Sequence, residues 1–168
     1  MVTDSEIYSL IDELGIELIY EKLPSSINGV YYEDGEYPII VINNNISSSS
    51  RLLRCVICEE LGHYFTCVGN IAGGQLKRGA SNISYNKYEN KALKWATNYL
   101  INTNRLLNFI SNNPDIKEIA DHFNVTQSFL IDKFYFMSLE SIKWDLHNGK
   151  FLYLSNLPSI FIAWDFKK

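Results

Sequence analysis

The sequence predicts an α+β fold, and two observations carry that expectation. A β-rich region from Gly29 to Ile42 is split by Asp34-Gly35. A tight hairpin turn needs positive φ values that Asp and Gly tolerate, so the dipeptide signals two antiparallel strands. Long stretches with apolar residues at helical spacing follow, and one short strand signal, Lys150 to Leu154, lies near the C-terminus. Strands and helices are segregated along the chain rather than alternating, which is the α+β pattern.

Each element has its own signal. Ile7, Leu10, Ile11 and Leu14 share a helical face, with Asp4 as a cap and Gly15 as a stop. Ile16 to Glu21 is apolar and partly β-branched, a strand. With the hairpin it makes a small β-meander, and Pro38 belongs at an edge or a strand end because it lacks a ladder donor. Arg51 to about Val68 reads as one helix, preceded by Ser47 to Ser50. Gly69 to Ser84 reads as a loop, and Tyr85 to about Leu107 as a second long helix. Pro114-Asp115 opens a short helix, Ile116 to Phe123. Thr126 caps a further helix to about Met137, and an aromatic tail runs through Phe161, Trp164 and Phe166.

Composition narrows the function classes. The 168 residues suit a single domain over 1–168, with strands and the long helices in 1–110 and a helical segment plus aromatic tail in 111–168. A chain of this length needs neither disulfide nor metal merely to fold. Hydrophobic residues at 46% and charged residues at 20% exclude wholesale disorder. A net charge of -4 argues against a broad phosphate-binding surface, so direct nucleic-acid binding is not expected. The start, MVTDSEIYSL, lacks a basic n-region, and the longest apolar runs are too short to span a bilayer. Cys55, Cys58 and Cys67 are an odd number in one segment, which suits reduced thiols in a cytoplasm.

The chemistry is concentrated in Cys55-Val-Ile-Cys-Glu-Glu-Leu-Gly-His-Tyr64. On a helix, Glu59 and His63 lie one turn apart on one side, where both can reach one ion. Glu60 projects about 100° further round. This is the layout of H-E-x-x-H, in which two ligands at i and i+4 flank a general-base glutamate at i+1. Glu59 replaces the first histidine here, and a carboxylate oxygen is itself a competent zinc ligand.

The order of motifs resembles the ImmA/IrrE family of metallo-endopeptidases. A hairpin strand, Ile39-Ile-Val-Ile-Asn43, leads into the E-E-L-G-H helix. A following helix carries Glu89-Asn-Lys-Ala92-Leu-Lys-Trp95-Ala96, similar to the family's E-x-x-A-x-x-[FW]-A. The segment Ile116 to Leu130 continues the likeness, which covers roughly Gly29 to Met137. The resemblance implies a small antiparallel sheet packed on a helical metallopeptidase core. It implies His63 and Glu89 as metal ligands and Glu60 as catalytic base, with Glu59 where the family usually has its first histidine.

Zinc is the implied ion, and a second carboxylate also suits manganese or another divalent ion. Without metal, Glu59, Glu60 and Glu89 crowd like charges, so at least one of their pKa values should rise. The implied substrate is a protein: a helix-turn-helix transcriptional repressor of a phage or mobile element, cleaved to relieve repression. The alternatives are an inactive relative that binds the repressor without cutting it and, less favoured, a DNA-binding regulator.

Other constellations carry less. Cys55-x2-Cys58-x4-His63-x3-Cys67 is one residue short of a zinc knuckle and lies in a helical pattern, so the cysteines read as small apolar residues. Ile116 to Phe134 has the outline of a helix-turn-helix but offers little positive charge. His122 and His147 are expected at the surface.

Overall fold

The computed structural model describes residues 1–33, 37–66, 82–112, 114–147 and 149–164, with the side chains of 82–86 outside that description. Six helices and two small sheets make up the described fold, as the α+β expectation requires. The chain forms two compact units, Val2–Tyr99 and the residues from Leu100 onward.

The first unit opens with α1 (Asp4–Glu13). Its cap is Thr3 rather than Asp4: Thr3 accepts from the Glu6 N–H while the Glu6 carboxylate accepts from Thr3, a reciprocal capping box. Gly15 then takes φ +65° and turns the chain into β1 (Glu17–Glu21). Strands β2 (Gly29–Glu33) and β3 (Pro38–Asn43) pair antiparallel, with Tyr31 opposite Ile40. The expected turn at Asp34-Gly35 lies outside the described residues. Pro38 is the first residue of β3, where a missing donor costs least.

The three strands are not a meander. The sheet order is β1-β3-β2, and β1 runs parallel to β3, with Glu17 opposite Ile39. β3, the most apolar strand, takes the centre. Buried Asn43 at its end pins the connection between β1 and β2: its amide donates to the carbonyls of Leu23, Pro24 and Ile27. Its Oδ1 accepts from the Asn45 N–H, starting a 3-10 turn, Asn44–Ile46.

Helix α2 (Ser50–Thr66) packs on β2 and β3. Its core side presents Cys55, Val56, Ile57, Cys58 and Leu61, all buried with Ile40 and Ile42. Arg54 is buried too, and its guanidinium binds the Asp4 carboxylate and the Val2 carbonyl, tying α1 to α2. Helix α3 (Asn82–Leu100) follows. Residues 67–81, most of the expected loop and Cys67 among them, lie outside the described residues. The expected extension of α3 to Leu107 does not occur. Asn102 leaves helical geometry (φ −62°, ψ 127°) and caps a new helix, α4 (Thr103–Ile110), by accepting from the Arg105 N–H.

In the second unit, α5 (Ile116–Phe123) starts at an Asp115 capping box and ends at Asn124, which adopts the left-handed conformation. Thr126 caps α6 (Gln127–Glu140). The C-terminal part holds a sheet rather than one strand and a tail. β4 (Lys143–Asp145), β5 (Lys150–Asn156) and β6 (Ser159–Trp164) pair antiparallel in that order. Phe161 and Trp164 of the aromatic tail are therefore strand residues, both about half exposed, and Phe166 lies outside the described residues. His122 and His147 are exposed as expected, His122 stacking on Phe109 at 3.9 Å.

Candidate metal centre

The site is assembled where α2 and α3 touch. Gly62 makes that contact possible. A Cβ on Gly62 would lie 2.3 Å from the Ala92 carbonyl oxygen and 2.9 Å from the Ala92 Cα, so the two backbones approach as closely as backbones can. Ala92 and Ala96 are both fully buried and keep the facing surface of α3 thin. The geometry of two helices then sorts the neighbours. His63 and Phe65 lie on opposite flanks of Gly62, about 100° and 300° round from it. Glu89 and Trp95, three residues before and after Ala92, also fall on opposite flanks.

One flank is a staple. Phe65 stacks on Trp95 at 4.6 Å between ring centroids, and Trp95 stacks on Tyr99 at 5.0 Å. Such pairs contribute about 0.5–1.5 kcal/mol each beyond the area they bury. The other flank brings His63 Nε2 to 3.6 Å from Glu89 Oε2. Two ligands of a tetrahedral zinc ion, each 2.0–2.1 Å from it, are about 3.4 Å apart, so this pair fits two corners of such a site. The E-x-x-A-x-x-W-A spacing thus has a physical meaning in this chain. Glu89 meets His63, Ala92 lets the backbones close, Trp95 staples the far side and Ala96 keeps the seam narrow.

Glu60 projects toward the sheet. It is 7% exposed and accepts a hydrogen bond from the backbone N–H of Tyr31 in β2. Gly29, two residues earlier in β2, leaves room for it: a Cβ there would come 2.9 Å from Glu60 Oε1. Burial pushes the Glu60 pKa up to about 7, with the like charges of Glu59 and Glu89 adding to the rise. His63 and the Tyr31 N–H oppose it. The expected rise among the three crowded carboxyls therefore occurs, with desolvation rather than crowding as its main cause.

Glu59 is half-buried one turn before His63. Among the described residues, no three His, Cys, Asp or Glu side chains stand close enough to hold an ion together. The structure thus brings His63 and Glu89 together and sets Glu60 beside them, and does not draw Glu59 into one cluster with the pair. Cys55 and Cys58 are buried, and burial raises the Cys58 pKa, which suits small apolar core residues and not ligands. Neither Gly29 nor Tyr31 was expected at the site from the sequence. The available signal was a glycine inside a strand pattern, which marks a close approach to the backbone.

A sheet backing a helix, a second helix delivering a glutamate to its histidine, and a buried glutamate between helix and sheet define a metallopeptidase-like protein. The chain matches the IrrE N-terminal-like domain of the Peptidase M78 family over residues 11–135, most of its length, and belongs to that family. The family implies a divalent metal, typically zinc. A search of curated proteins finds no match. No described helix is long and apolar enough to cross a membrane.

Proposed function

We propose that the chain is a zinc-dependent endopeptidase that cleaves a helix-turn-helix repressor of a phage or mobile element in the cytoplasm. The observation that carries this reading is the buried Glu60 beside the His63–Glu89 pair. His63 and Glu89 hold the ion, and Glu59 completes the set by a rotation of its half-exposed side chain. A divalent ion so held supplies Lewis acidity to water and to a carbonyl oxygen. Glu60 takes a proton from the attacking water on a carboxylate oxygen and delivers it to the leaving amide nitrogen. A pKa near 7 suits both halves of that transfer at neutral pH. The buried thiol of Cys58 suits a reducing compartment.

Incubation of the zinc-loaded protein with the repressor encoded beside it, followed by mass spectrometry, tests the reading. Discrete fragments that disappear with Glu60→Gln support it. Glu59 in place of a histidine, outside any three-residue cluster among the described residues, favours one second reading: a relative that binds the repressor without cutting it. Intact repressor co-eluting with the protein would show that. DNA binding draws no support from α6, because its single basic residue, Lys133, is 1% exposed and donates to Thr103 Oγ1.

A further inference from the structure

We propose that the edge strand β2 positions the general base: Gly29 supplies the slot and the Tyr31 backbone N–H an anchor that together fix the Glu60 carboxylate. The inference rests on the peptidase reading for its functional part and on geometry for the rest. Asn43 N–H donates to the Asn28 carbonyl, which marks residues 28 and 43 as a hydrogen-bonded pair of the β2–β3 ladder. In an antiparallel pair the direction of the backbone groups alternates, so Val30 and Tyr32 also face β3 while Gly29, Tyr31 and Glu33 face the free edge. Among the described residues, the sheet order places no strand on that edge of β2. The Tyr31 N–H is therefore not needed by the ladder, and Glu60 takes it.

The slot is equally specific. A Cβ on Gly29 would fall 2.7 Å from Val56 Cγ1, 2.9 Å from Glu60 Oε1 and 3.1 Å from Glu60 Cγ. Each of these is a side-chain atom able to move, so a methyl group at position 29 displaces the Glu60 carboxylate while leaving the backbones in place. The aromatic edge contact of Tyr31 on Tyr64, at 6.0 Å, holds β2 to the same helix that carries Glu60 and His63. Gly29 and Tyr31 are thus positioning residues that act through Glu60.

The test reads Tyr31 and turnover separately. The Tyr31 amide resonance is followed by NMR in metal-free protein, which needs no activity. It should move upfield in Glu60→Ala, as a donor to a carboxylate does on losing it, and move the same way in Gly29→Ala. Gly29→Ala combined with Val56→Ala removes the Val56 contact and keeps the Glu60 contact, so it gives the answer if the single variant folds poorly. In a cleavage assay Gly29→Ala should lower kcat about tenfold to a hundredfold, the scale expected for a misplaced catalytic group, with KM within about twofold. A Tyr31 resonance unmoved in Glu60→Ala overturns the anchor, and a Gly29→Ala enzyme with wild-type kcat overturns the slot. If no cleavage occurs in any form, the peptidase reading fails while the NMR result still decides the positioning.

Discussion

Gly62→Ala should damage both the fold and the candidate metal centre, and its sign is informative. In an ordinary helix the change to alanine stabilises by about 1 kcal/mol. Here the new Cβ would lie 2.3 Å from the Ala92 carbonyl oxygen, against backbone that cannot rotate away. Ordinary contact is about 3.5 Å, so α3 must retreat by about 1 Å. Overpacking of that size costs about 1–3 kcal/mol, which outweighs the gain in helix propensity. The retreat also takes His63 and Glu89 from 3.6 Å toward about 4.6 Å, past the reach of an ion pair and of two ligands on one ion. Differential scanning fluorimetry should show a Tm lower by a few degrees, and calorimetry a zinc affinity lower by about tenfold or more. A variant with a raised Tm and unchanged affinity would refute the close-contact argument, because it would show the propensity gain expressed without a clash.

Other consequences follow from the packing. Asn43→Ala removes the amide that ties the carbonyls of Leu23, Pro24 and Ile27, and should cost about 2–4 kcal/mol by denaturant unfolding. Asp4→Asn leaves the buried Arg54 guanidinium without its anion and should destabilise by about 1.5–3 kcal/mol, with the loss reduced in Arg54→Met/Asp4→Asn. Burial raises the Asp132 pKa above 3.8, so its carboxyl favours the fold most below the unfolded-state pKa, and that contribution is lost as pH rises through the raised folded value. Asp132→Asn should therefore melt higher than the wild type at pH 7, and the gap should close below about pH 3, where the aspartic acid is protonated in both states.

Local signals located most helix ends, although the cap of α1 is Thr3, one residue before the expected Asp4. Thr126, Asp115 and Gly15 act where their residue types place them, and the helical face of α2 is the one its apolar spacing indicates. The sheet pairings that escaped were set by distant partners. The parallel pairing of β1 with β3 depends on a connection held by Asn43, and no periodicity records it. The break at Asn102 was hidden because apolar residues continue through Leu100, Ile101, Leu106 and Leu107. Only the capping asparagine marks the boundary. β6 reads as an aromatic tail until its alternation, Ile160, Ile162 and Trp164 against Ser159, Phe161 and Ala163, is set beside β5.

The candidate site divides in the same way. Glu60 and His63 follow from spacing on one helix, while Glu89 needed the likeness to a family, since its link to His63 crosses between helices. The role of Gly62 became visible only with Ala92 opposite it.

His63 and Glu89, held across the Gly62–Ala92 contact, are proposed to bind a divalent ion. Calorimetric titration of zinc and manganese into the wild type, His63→Ala and Glu89→Gln tests it most directly. The wild type should bind about one ion, and neither variant any. No binding by the wild type, or binding that survives both substitutions, would contradict it.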